Sequence, residues 1–128
     1  MTQYFFMMST DPTVDPRKCV VGLACAAQAL DEGHEVGIFF ASHSVRLLQT
    51  DFIDSIDVVT GMTQGACRSL LDRVIAGATV ACSTGSQEIV GITPDNASDY
   101  LVDPLGLIWS GPPGVISMSS DAEISLSF

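Results

Sequence analysis

Cys82 is the residue whose surroundings best suit chemistry. It ends the apolar run Ala78-Thr79-Val80-Ala81, which suits a buried strand, and is followed by the turn residues Ser83-Thr84-Gly85-Ser86. Gln87-Glu88-Ile89-Val90 then reads as the first turns of a helix, because Thr84 and Gln87 stand at capping-box spacing. This reading delivers a thiol to the tip of a strand, beside the free N–H groups of a helix start. Such a place favours an anion, and the thiolate is the nucleophilic form of cysteine.

In open α/β sheets the ligand site lies beyond the carboxyl ends of the strands. Four loops fit that description: Ser9-Thr10-Asp11, Ser42-His43-Ser44, Cys82 to Gly85, and Ser110-Gly111. Only the third carries a cysteine. The candidate set is therefore Cys82 as nucleophile and His43 as the group that orients or deprotonates it, with Ser9, Thr10, Ser42, Ser83, Thr84, Gly85 and Ser110 as binding residues. Blander readings stand beside these, since a cysteine ending a buried strand is often packing and a histidine after a strand is often a solvated loop residue. Cys19, near a helix start and beside Arg17 and Lys18, is the second thiol. Cys25 and Cys67 fall on predicted helices as small buried hydrophobes. Arg46 has two readings, holding an anionic sulfur species or a partner carboxylate, or lying free on the surface. His34 follows Gly33 as a turn residue.

Other chemistry lacks its residues. The four cysteines form no C-x-x-C pair and no Cys/His cluster at zinc spacing, so no metal is expected. There is no G-x-G-x-x-G after a strand, no Walker-type loop, no G-x-S-x-G and no H-E-x-x-H. Ser83 to Ser86 resemble a phosphate cradle, but no lysine accompanies them, and no cofactor is expected.

The elements that must position these residues alternate strand and helix. Gln3 to Met8 reads as a first buried strand. Asp15-Pro16 caps a helix with Val20, Leu23, Ala24, Ala27 and Leu30 at helical spacing, stopped at Gly33. Glu35 to Ala41 is a nearly continuous apolar strand, as in a parallel sheet covered on both faces. Val45 to Leu48 suits a short helix, while Gln49 to Met62 matches no clear template and is expected to hold no strand. A second helix runs from about Gln64 to Ala76, with Gly77 as its stop. Thr93-Pro94-Asp95 reads as a further helix cap. Leu105 to Trp109 reads as a strand, and Val115 to Ser119 as a short helix. The tail Ala122 to Phe128 alternates apolar and polar residues, like a strand at a sheet edge or interface. The expected architecture is a single domain over residues 1–128, a three-layer α/β sandwich on a mostly parallel sheet of about five strands.

Fifteen acidic against five basic residues give a net charge of −10, which leaves no basic stripe for nucleic acid. No run of residues approaches a membrane span, and the start carries no basic leader, so a cytoplasmic protein is expected. At 47% hydrophobic and only 16% charged residues, with mean hydropathy +0.38, so small a chain exceeds what one core hides, and a homo-oligomer is expected.

Along its whole length the chain resembles the DsrE/DsrF/TusD family of small sulfur-relay proteins. The resemblance rests on the order of an apolar first strand, an alanine-rich first helix, EGHEV at Glu32 to Val36 leading into VGIFFA, and GATVAC at Gly77 to Cys82. Trp109-Ser110-Gly111, a short helix, an acidic residue and a final strand to Phe128 complete it. It implies a homotrimer or homohexamer in which Cys82 accepts sulfane sulfur from a donor protein as a persulfide and passes it to an acceptor protein's thiol. Some members of the family lack the cysteine and act as structural subunits, which leaves a non-catalytic binding or scaffold protein of the same fold as the alternative.

Overall fold

A computed structural model describes all 128 residues. The chain opens with β1 (Gln3–Met8) and α1 (Pro16–Asp31), and the Asp15 carboxylate caps α1 by accepting the Lys18 N–H at 3.1 Å. Proline at the first helical position loses no bond, because that N–H has no partner inside a helix. Gly33, at φ 85°, makes the left-handed turn into β2 (Glu35–Phe40). A 3-10 turn (Ser42–Leu48) follows, then α2 (Thr50–Ser55), α3 (Asp57–Thr60) and α4 (Ala66–Gly77). β3 (Thr79–Ser83), α5 (Thr84–Ile89), α6 (Ala97–Tyr100), β4 (Ile108–Ser110), α7 (Pro112–Asp121) and β5 (Ile124–Ser127) complete the chain.

The five strands form one parallel sheet in the order β4-β3-β2-β1-β5. Strand alternation splits the core in two. On one face Phe6, Met8, Val36, Ile38, Phe40, Val80 and Cys82 pack under α1, α4 and the shorter helices. On the other, Phe5, Phe39 and Ala81 meet Val115 and Met118 of α7 alone. The first face holds most of the apolar burial, at about 1.5–3 kcal/mol for each large side chain. Alanines and Gly22 bring α1 close to the sheet, and a Cβ at Gly22 would stand 2.8 Å from the Met8 sulfur.

Several boundaries differ from those expected. The segment from Gln49 to Met62 holds two short helices, each too brief to show a period, anchored by buried Ile53 and Ile56. Asp57, buried between them and α4, accepts the N–H groups of Gly65 at 2.8 Å and Cys67 at 2.9 Å. It thereby caps α4, whose own N-cap is Gly65 and has no side chain to do so. No helix starts at Pro94. The Asn96 side chain closes the turn instead, accepting the Thr93 N–H and donating to the Gly91 carbonyl, and α6 begins only at Ala97. The strand expected from Leu105 starts at Ile108, because Pro104–Gly106 form a 3-10 turn entered through Asp103 at φ 43°. α7 begins at Pro112 rather than Val115, since prolines are tolerated in a first helical turn. The tail strand lies at the sheet edge beside β1, as expected, with all four residues exposed.

Candidate functional site at the carboxyl ends of the strands

β3 runs two residues further than the apolar run Ala78 to Ala81, and this changes the setting of Cys82. The residue is inside the strand, opposite Phe40 of β2 and Trp109 of β4, and not in the loop beyond it. Its side chain turns into the larger core and is 0% exposed. Burial pushes the thiol up to about 11, because a thiolate there would lose its hydration. The neighbouring Gln87 amide favours the anion and only partly offsets this, since no hydrogen bond of good geometry joins it to the sulfur.

The helix start expected to stabilise a thiolate is also arranged differently. Ser83, the last strand residue, is the N-cap of α5, and its Oγ accepts the Ser86 N–H at 3.1 Å. The Thr84–Gln87 capping box does not form. Extension of the strand moves the cap back to Ser83, and Gln87 points inward, 0% exposed, with neither amide atom hydrogen-bonded.

Because all strands are parallel, the loops carrying Ser9, Thr10, Ser42, His43, Ser83, Thr84, Gly85 and Ser110 share one end of the sheet. Several of their polar groups hold the fold. The N–H groups of Ser9 and Thr10 donate to the Phe128 carbonyl, and the Ser42 N–H donates to Ser86 Oγ at 3.0 Å, tying the loop after β2 to α5. Ser42 sits at φ 54°, a conformation uncommon outside glycine. Ser110 lies against Gly114 of α7, where a Cβ would come within 2.8 Å of the serine Cβ.

His43 is exposed and has no hydrogen bond to Cys82. The Asp11 carboxyl is held below the usual range mainly by the Thr13 hydroxyl and N–H, with the positive charge of Arg46 adding to the effect. Arg46 is half-buried, and its Nε is enclosed without a partner.

Cys19 is 0% exposed beside the Thr10 carbonyl, its thiol pushed up to about 11 by burial and by the charges of Asp15 and Asp11. The nearby Lys18 opposes this weakly, so the basic neighbours do not activate that thiol. Cys67 is buried as expected, its thiol likewise raised to about 11 by burial and by Asp57, while Cys25 is half-buried. His34 has a structural role: its Nδ1 accepts the Thr2 N–H at 3.0 Å, and its ring lies 5.2 Å from that of Tyr4. No three His, Cys, Asp or Glu side chains gather as a metal site would require, and no helix is long and apolar enough to cross a membrane.

The opening at this end of the molecule is on the face away from Cys82. A cleft of about 330 Å³ runs between the sheet and α7, lined by Met7, Phe39, Ser83, Gly111, Val115 and Ile116 among others. Of the expected binding residues only Ser83 lines it. The cleft was readable in principle from strand alternation, which places Met7, Phe39 and Ala81 in one row and turns Cys82 to the other side.

The arrangement defines a small three-layer α/β protein of DsrE-like fold whose strand-end cysteine is sealed in the core. Of solved proteins, the YchN protein from E. coli, known from its crystal structure, matches 100% of this chain and 100% of its own with a TM-score of 0.74 at 15% identity. At that identity the likeness establishes the fold. No protein-family model and no curated protein matches the chain in sequence.

Proposed function

We propose that this protein is a non-catalytic binding or scaffold subunit of DsrE-like fold, in which Cys82 is a core residue. The observation that carries this reading is the complete burial of the Cys82 sulfur, with its thiol raised to about 11. Sulfur relay needs a thiolate that a donor persulfide can reach, and attack depends on both thiolate fraction and access. Binding falls to the strand-end loops and to the α7 cleft, with Ser83 as the polar group they share. A homotrimer or homohexamer fits the single-helix cover of one sheet face, which leaves Ile116 of α7 exposed. Four unpaired cysteines suit a reducing compartment such as the cytoplasm. Alkylation of the native protein followed by peptide mapping tests the reading. Cys82 stays unmodified if it holds, and rapid modification would reject it.

The persulfide carrier is the second reading, and the unpartnered Gln87 amide beside Cys82 favours it. In that scheme the Cys82 thiolate attacks the outer sulfur of a donor persulfide and the donor thiolate leaves. The Gln87 N–H groups would then stabilise the new persulfide anion, with His43 and the strand-end serines around the entry. An acceptor thiolate would remove the outer sulfur and restore Cys82.

A further inference from the structure

The charge of this chain is divided along its length. Every Lys and Arg lies at or before Arg73, whereas the remainder carries Glu88, Asp95, Asp99, Asp103, Asp121 and Glu123 with no base at all. Asp99 and Asp103 are exposed and take part in no ion pair or side-chain hydrogen bond. Between and beside them in the sequence come three exposed apolar residues: Tyr100 at 53%, Leu105 at 97% and Ile108 at 48% exposure. Ile108 opens β4, which pairs only with β3 and leaves its other backbone edge free. Though only three residues long, this edge strand holds no lysine or proline and has no strand beyond it, so its backbone can accept one more strand.

A second copy of the chain is poorly matched to this surface. Arg68 is occupied by Asp54 and Asp72, and Arg73 by Asp31. Only Arg17 and Lys18 remain as fully exposed cations, while like surfaces would repel. Anionic membranes and nucleic acids are repelled as well. The surface calls for a partner with alternating positive and apolar side chains in extended form.

We propose that the free edge of β4, with Asp99, Asp103, Leu105 and Ile108, docks an extended cationic segment of another protein. Its backbone would continue the sheet, its apolar side chains would cover Leu105 and Ile108, and its Lys or Arg residues would meet Asp99 and Asp103. Cys82 pairs with Trp109 of β4 but is buried and takes no part in this surface, so the proposal holds whether or not that cysteine carries sulfur.

The test uses fluorescently labelled synthetic peptides and anisotropy. One peptide alternates lysine with valine, a second alternates glutamate with valine, and a third alternates lysine with serine. The lysine–valine peptide should bind the wild-type protein at least about tenfold more tightly than either of the others, and more weakly as salt rises. Asp99→Asn with Asp103→Asn, and separately Leu105→Ser with Ile108→Thr, should each weaken it about tenfold. Glu32→Gln with Asp51→Asn, exposed acids elsewhere, should change it less than about twofold. All six positions are exposed, so the variants are expected to fold, and circular dichroism checks this. Absence of binding, or equal loss in the Glu32/Asp51 variant, would overturn the proposal by showing no docking or a mere net-charge effect. A reduced oligomer size in the Leu105/Ile108 variant would overturn it in favour of a second copy as occupant.

Discussion

Native alkylation of Cys82 puts a number on how closed the site is. At pH 8 a free thiol at its ordinary value of about 9 is roughly one tenth thiolate. A thiol raised to about 11 is thiolate in about one molecule per thousand, so ionisation alone slows attack roughly a hundredfold. Enclosure adds to this. With the sulfur 0% exposed, reagent reaches it only through opening of the chain, and openings of core strands approach the global unfolding free energy of about 5–15 kcal/mol. The assay mixes native protein with iodoacetamide at pH 8, quenches at intervals and maps peptides, taking urea-unfolded chain as reference and half-buried Cys25 as internal control. Cys82 should react at least about a hundredfold more slowly than in the unfolded chain, at about the ionisation limit or below, and more slowly than Cys25. A rate within about tenfold of the unfolded chain would rule out a closed Cys82, because it would require a sulfur both ionised and open.

Two further outcomes follow from buried groups. Asp57→Ala removes the acceptor for two N–H groups and leaves the buried Cys67 amide without a partner, so it should cost about 2–4 kcal/mol in urea unfolding, with Asp57→Asn costing about half as much. The Cys67 contacts and the Gly65 N–H hold the Asp57 carboxyl below its ordinary value of 3.8, so its contribution is present above that pH and lost as pH falls through the lower folded value. The alanine variant should accordingly lose less stability in acid than the wild type. At the alkaline end, Cys19, Cys67 and Cys82 keep their protons to about 11 in the folded state while the unfolded chain loses them near 9. The unfolded state then binds fewer protons, so stability falls between pH 9 and 11, by up to about 1.4 kcal/mol per pH unit for each thiol. Urea midpoints under reducing conditions should show this decline, and Cys19→Ala should reduce its slope by about a third.

The fold was largely legible because its main elements carry strong local signals. Asp15-Pro16 and Gly33 bracket α1, and Phe5 to Met8 and Val36 to Phe40 are buried runs that a parallel sheet requires. Less legible were elements defined by contacts from elsewhere. The start of α4 depends on Asp57 reaching eight and ten residues ahead, and the turn at Thr93 depends on Asn96 competing for the backbone. At the candidate site, the strand and the cysteine were readable but the end of the strand was not. Ser83 is a weak strand former and a good cap, and only pairing with Ser110 of β4 keeps it in the sheet. That single residue decides whether Cys82 stands at a loop or inside the core. Gln87, polar and near a helix start, gave no sign that it would be buried without a partner.

The most direct test of a closed, non-transferring Cys82 is sulfur loading under native conditions. Reduced protein is incubated with a low-molecular-weight persulfide at neutral pH, freed of donor and mapped by mass spectrometry, beside Cys82→Ser treated in the same way. Cys82 should gain no sulfur, and the spectra of wild type and variant should be identical outside the substituted peptide. Addition of one sulfur atom to Cys82 in the folded wild type, absent from the variant, would contradict a closed, non-transferring Cys82 and establish the carrier.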